Sequence, residues 1–116
     1  VQLGTAFLLC HEATTSELHR AALKSSASAH TAITNVFSGR PARSIMNRVV
    51  RELGPISDKT PPFPLAGEGL APICALAEAQ GRHDFTSLWC GQNATGCKEI
   101  SAAELTRELA QGLLLT

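Results

Sequence analysis

The first nine residues, Val1-Gln2-Leu3-Gly4-Thr5-Ala6-Phe7-Leu8-Leu9, constrain this chain more than any other stretch. Val1, Leu3, Ala6, Phe7, Leu8 and Leu9 form a near-continuous apolar run, the pattern of a strand buried on both faces of a parallel sheet. Gly4-Thr5 interrupts the run. A glycine lets the backbone come close to a ligand, and a free amide followed by a hydroxyl is what a phosphate accepts. If Thr5 to Cys10 turns helical, those amides lie at a helix N-terminus, which favours an anion. The plainer reading is a core strand with a glycine at a bend, since periodicity does not separate short apolar runs.

A strand of that kind needs parallel neighbours, and the remaining sequence offers one short extended piece and four helical stretches. Together with the lack of an initiator methionine, this predicts a fragment or a processed chain. The length of 116 residues allows one domain at most. Ten Lys and Arg balance ten Asp and Glu, which argues against a nucleic-acid surface. No run approaches the ~20 apolar residues of a membrane span, and no charged and apolar leader opens the chain. Cys10, Cys74, Cys90 and Cys97 include no Cys-x-x-Cys pair, and Cys90 and Cys97 lack a usual zinc-ligand spacing. Four reduced thiols and a cytoplasmic location are expected.

Along the chain, Ser16 to Lys24 reads as a helix capped by Thr14 or Thr15, with Glu17 at the capping-box spacing from Thr14 and Leu18, Ala21 and Ala22 on one face. Thr31 to Phe37 is β-branched and aromatic and reads as a short extended segment. Pro41 suits the first turn of a helix, and Ser44 to Leu53 carries a helical stripe of Ile45, Val49 and Leu53, with Met46 and Val50 beside it. Gly54-Pro55 ends that stripe, and the proline-rich stretch from Ser57 to Pro64 is a linker. Leu65 to Gln80 reads as a helix with Leu70, Ile73, Leu76 and Ala77 inward. In it Pro72 makes a kink or sets the first turn, and Gly81 is the cap. Asp84 to Gly96 is a loop. Ser101-Ala102-Ala103-Glu104 opens a last helix with Leu105, Leu109 and Leu113 on one face.

Several groups carry candidate chemistry. His11 and Glu12 are either an acid/base pair or an ordinary loop pair with one member near a helix terminus. No two of the four histidines have metal spacing. Arg40 and Arg43 flank a predicted helix start, where cations oppose the dipole; they face a partner or an anion, or are simply solvated. The Gly91-Gln92-Asn93-Ala94-Thr95-Gly96 loop offers two carboxamides able to read a heterocycle edge and, in Trp89, a flat wall; it also reads as a turn-rich connection. Asn93-Ala94-Thr95 matches a glycosylation pattern without a secretory context.

Taken in order, five pieces resemble the C-terminal part of a nitronate monooxygenase, the family formerly called 2-nitropropane dioxygenases. They are Val1 to Leu8, Phe37 to Arg43, Asn47-Arg48, Leu88 to Gln92, and Ile100 to Leu109. The resemblance covers almost the whole chain and implies the end of an FMN-binding (β/α)8 barrel with a small second domain. By it, the fragment is α/β in class and mostly helical. Residues 1–30 hold the last barrel strand and the following helix, 31–80 the small-domain extended segment and helices, and 81–116 the Gly-Gln loop and C-terminal helix. Gln2, Leu3, Gly4 and Thr5 then form part of the FMN phosphate site, in agreement with the reading of Gly4-Thr5 above. The Gly91-Gln92 loop approaches the flavin or substrate pocket.

The activity implied is oxidation of alkyl nitronates with O2. The partners implied are the small-molecule nitronate, O2 and a barrel segment upstream, with neither nucleic acid nor membrane. The family's catalytic histidine lies upstream, none of the four histidines here matches it, and the fragment alone should be inactive. Two other classes compete: a related FMN barrel reductase acting on enoyl-acyl carrier protein or on quinones with NAD(P)H, and a stand-alone helical interaction module.

Overall fold

The computed structural model describes residues 2–113. Val1, the first residue of the expected barrel strand, lies outside the described residues, as do residues 114–116 of the C-terminal segment. The elements run in order as a 3-10 helix (Thr5–Phe7), α1 (Glu17–Lys24), a second 3-10 helix (Ser26–Ala29), β1 (Thr31–Thr34), β2 (Ala42–Ile45), α2 (Arg48–Leu53), α3 (Ala66–Ala79) and α4 (Ala102–Leu113).

The opening segment is not extended into a strand. Gln2 to Gly4 is irregular, and the backbone then closes on itself, Phe7 N–H donating to Gly4 O at 3.0 Å and Leu8 N–H to Thr5 O at 3.1 Å. A strand must pair its amides and carbonyls, and among the described residues no strand lies beside this one, so a local turn satisfies them. Leu9 and Cys10, at its end, are buried.

The structure also corrects the stretch after Arg40. Ala42 to Ile45 is a strand, antiparallel to β1 with Thr31 opposite Ile45 and Thr34 opposite Ala42. Pro41 thus precedes a strand and does not open a helix. Along the other edge of β2, Ile45 N–H donates to Leu88 O at 2.9 Å and Cys90 N–H to Arg43 O at 3.2 Å. Pairing on both edges overrides the helical stripe of Ile45, Val49 and Leu53. The helix starts after Asn47, whose Oδ1 accepts from Val50 N–H at 3.4 Å.

The other helices differ from expectation at their caps and faces. Ser16, not Thr14 or Thr15, caps α1, its Oγ accepting from His19 N–H at 3.3 Å. The buried face of α1 is Ala22 and Leu23, while Ala21 is exposed, because Leu23 reaches the cluster built on Leu9, Ile45 and Leu88. Pro72 lies inside α3, beyond its first turn. Only Ala66 and Ala77 of α3 are buried. Ile73 and Leu76, expected inward, are exposed, because α3 turns Gly67, Leu70 and Cys74 toward Phe37 and Phe85. Gly81 at φ +70° ends α3 as anticipated. Its N–H donates to Glu78 O, and Arg82 N–H donates to Ala77 O, both at 2.9 Å, the paired bonds of a Schellman turn. Ser101 Oγ accepts from Glu104 N–H at 3.1 Å and caps α4; Leu105 is buried, while Leu113 is exposed.

Two apolar clusters result. One gathers Leu9, Ala22, Leu23, Ile45, Leu88, Cys90 and Ala94, and the other Val36, Phe37, Val49 and Val50. Residues 88–90 join them, for Leu88 and Cys90 lie in the first and Trp89 packs edge-on against Phe37 of the second at 5.6 Å. All four cysteines are free thiols. Among the described residues no helix is long and apolar enough to cross a membrane.

Candidate functional site

Gly4-Thr5 and the Gly91 loop, the two stretches whose glycines suggest close approach to a ligand, meet in space. Gly91 N–H donates to Thr5 Oγ1 at 2.8 Å across 86 positions of sequence. Gly91 brings its backbone close: a Cβ there would stand 3.2 Å from Thr5 Oγ1, a tight contact that the threonine side chain would have to relieve by a small shift. The Thr5 backbone is held as well, its carbonyl accepting from the Cys97 thiol at 3.3 Å. A hydroxyl that accepts one hydrogen bond keeps its proton to donate elsewhere.

Around this contact lies a cleft of about 410 Å³ lined by Gln2 to Ala6, Gly91 and Asn93. Asn93 Oδ1 is engaged by Thr95 N–H at 2.9 Å and Thr95 Oγ1–H at 2.6 Å, which leaves its amide nitrogen as the group able to donate outward. A second cleft of about 400 Å³ shares Gly4, Thr5 and Gly91 and extends to Leu8, Arg43, Trp89 and Cys90. Neither cleft is lined by an Asp or Glu. The donor set of hydroxyl, carboxamides and unhindered glycine backbone fits an anionic oxygen group better than a cation. Gln92 lines neither cleft and is exposed.

The remaining candidates divide. Glu12 is a helix cap: both carboxylate oxygens accept from Ala102 N–H, at 3.1 and 3.0 Å, at the start of α4. That bond, more than any other influence, holds its carboxyl below the usual range. His11 donates its backbone N–H to Ile100 O at 3.2 Å, so the His11-Glu12 pair ties the opening loop to α4. Arg40 and Arg43 separate. Arg40 stacks 4.2 Å over the Phe63 ring, and Arg43 reaches the second cleft. His19 lies with Trp89 in a neighbouring hollow, its Nε2–H donating to Trp89 O at 2.9 Å; burial lowers its pKa below the ordinary histidine value. Among the described residues no group of three or more His, Cys, Asp or Glu side chains could hold a metal ion.

The family model for nitronate monooxygenase matches residues 1–112. The chain belongs to the nitronate monooxygenase family. It is 40% identical over 114 residues to a nitronate monooxygenase of Pseudomonas aeruginosa, covering 97% of this chain and 32% of that protein. It is 35% identical over 112 residues to a probable nitronate monooxygenase of Bacillus subtilis, covering 96% and 32%. Among solved structures it matches a nitroalkane oxidase from Streptomyces ansochromogenes, with a TM-score of 0.82 and 36% identity over 95% of this chain and 31% of that one. The chain therefore spans about a third of the length of the relatives it matches. Its α/β fold, mostly helical with two short strands, is that of part of this barrel family.

Within this nitronate monooxygenase segment, sequence reasoning gave no role to two supporting residues. Arg20 donates to the carbonyls of Leu9, Cys10, Ala13 and Thr15 and so fixes the loop that follows the site. Asn47 Nδ2 donates to His83 O and Thr86 O, both at 2.9 Å, and so fixes the approach to Trp89. Arg20 belongs to none of the pieces that carry the family resemblance, and Asn47 belongs to one, Asn47-Arg48, without a role attached. Asn47 fell inside the helix expected from Ser44 to Leu53, and its preference for helix N-caps was the signal that could have moved the start to Arg48.

Proposed function

We propose that the full-length protein carrying this chain is a flavoenzyme that oxidises alkyl nitronates with O2, and that Gln2, Leu3, Gly4 and Thr5 take the phosphate end of its FMN. The observation that carries this reading is the hydrogen bond of 2.8 Å between Gly91 N–H and Thr5 Oγ1. It presents the threonine hydroxyl, with its proton free, at a cleft without carboxylates. The names and similarity of the relatives support the substrate class. FMN, when bound, supplies the redox chemistry, and the protein supplies placement and electrostatics. In this chain the placement falls to the Thr5 hydroxyl, the open backbone at Gly4 and the carboxamides of Gln2 and Asn93.

Residues 1–30 are read as the last barrel segment and the following helix, 31–80 as the small-domain extended segment and helices, and 81–116 as the Gly-Gln loop and C-terminal helix. An upstream barrel segment, carrying the catalytic histidine, completes the site. The zero net charge and the free thiols support a cytoplasmic enzyme with neither nucleic acid nor membrane as partner. The test is to purify the full-length protein, identify its released flavin by chromatography, and follow O2 uptake with propyl-2-nitronate. Bound FMN and nitronate-dependent uptake are expected. A flavin reduced rapidly by NADH or NADPH, with no uptake on nitronate, would assign the protein to the barrel reductases instead.

A further inference from the structure

The second cleft contains one charged side chain, Arg43, and no charge to meet it. Arg43 stands on β2 opposite Ile33 of β1, and its carbonyl accepts from Cys90 N–H at 3.2 Å on the other edge. Held on both sides, it lines the same space as Gly4, Thr5, Trp89 and Gly91. The guanidinium makes one hydrogen bond within the described residues, Nη1–H to the neutral Thr31 Oγ1 at 3.2 Å. None of the ion pairs among the described residues includes it. Other cations nearby in sequence are engaged: Arg20 on four carbonyls, Arg40 on the Phe63 ring, Arg48 on Glu52. A half-buried guanidinium with its Nε–H and Nη2–H donors left over, beside a hydroxyl with a proton to give, is complementary to an oxyanion.

The geometry points to Arg43 as the residue that binds an oxyanion beside Thr5. The inference rests on the flavin reading above and extends the site from the opening segment to β2. Two oxyanions share the required chemistry, the phosphate monoester of the flavin and the nitronate group of the substrate.

The test uses the full-length protein, wild type, R43Q and R43K, with FMN and riboflavin affinities from flavin fluorescence and steady-state kinetics on propyl-2-nitronate. If Arg43 holds the phosphate, R43Q weakens FMN about 10- to 100-fold, leaves riboflavin unchanged, and R43K restores part of the loss. If Arg43 holds the substrate, both flavins bind as in wild type and KM rises by a similar factor with kcat little changed. Wild-type behaviour of R43Q in both assays, or equal loss of FMN and riboflavin, overturns the inference. Should R43Q fail to fold by circular dichroism, phenylglyoxal labelling of wild-type Arg43 decides. Protection by FMN but not riboflavin, or by nitronate, supports the role, and no protection overturns it. If wild type binds neither flavin, the flavin reading falls separately. Calorimetric titration of wild type and R43Q with inorganic phosphate then supports Arg43 if only wild type binds and overturns it otherwise.

Discussion

Arg20 carries a structural load that its position on a short helix does not announce. Its Nε–H, Nη1–H and Nη2–H reach four carbonyls between Leu9 and Thr15, at 2.9 to 3.1 Å. Two of those carbonyls belong to the buried residues Leu9 and Cys10, where an unmet acceptor is costly. Only the planar fork of arginine serves several carbonyls at once; a lysine ammonium is a compact point charge on a flexible stem. R20K is therefore expected to lower stability by about 2–4 kcal/mol, read as a shift in the urea midpoint. A midpoint within error of wild type would show that the loop after the site holds without the clamp. At the same scale, Gly4 and Thr5 were legible as candidates because a glycine beside a hydroxyl has a chemical meaning. Arg20 was not, since a lone arginine in a helix reads first as a solvated one.

Between elements, the Ser38-Gly39-Arg40 turn is pressed against the chain from Pro61 to Phe63. Gly39 has φ +86°, and a Cβ there would stand 2.4 Å from Phe63 N and 2.7 Å from Pro61 O. Both the backbone conformation and the contact require glycine. G39A is expected to cost about 2 kcal/mol or more in stability and to displace the Arg40–Phe63 stack. Unfolding in urea checks the first, and the exposure of Arg40 to phenylglyoxal the second. This packing of turn on linker was hidden in the sequence, where residues 57–64 read only as an irregular proline-rich connection. The helix signals fared differently according to their physics. The serine cap at Ser101, one half of the expected capping box, and the glycine at position 81 act within a turn, and both are present. The stripe from Ile45 to Leu53 failed at its first member, because Ile45 is fully buried in a strand edge shared with Leu88.

At the scale of the molecule, residues 88–91 are the hinge of the arrangement: they pair with β2, receive the His19 ring from α1 and touch Thr5 from the opening segment. His19 makes this junction sensitive to acid. Its pKa in the folded protein is lowered by burial, so the unfolded chain binds the extra proton first. The contribution is complete above the ordinary histidine value of about 6.5 and is lost as pH falls from there through the lower folded value. The urea midpoint should therefore drop between pH 7.5 and pH 5.5, and drop less in H19Q, which keeps a donor for Trp89 O but does not titrate. Equal slopes in the two proteins would assign the acid sensitivity to other groups.

Local chemistry was readable from the residues alone: where helices end, which glycines permit close approach, which family the ordered motifs resemble. The first two depend on a few neighbouring residues and on covalent geometry; the resemblance rests on the order of five pieces along the chain. The tertiary structure alone decided the fate of the opening run, the change of residues 42–45 from helix to strand, and the separation of Arg40 from Arg43. Each turns on a partner far away in sequence. The meeting of Thr5 with Gly91 belongs to both levels. The residues named the two halves, and only the folded chain, by pairing residues 88–90 against β2, brought them within hydrogen-bonding distance.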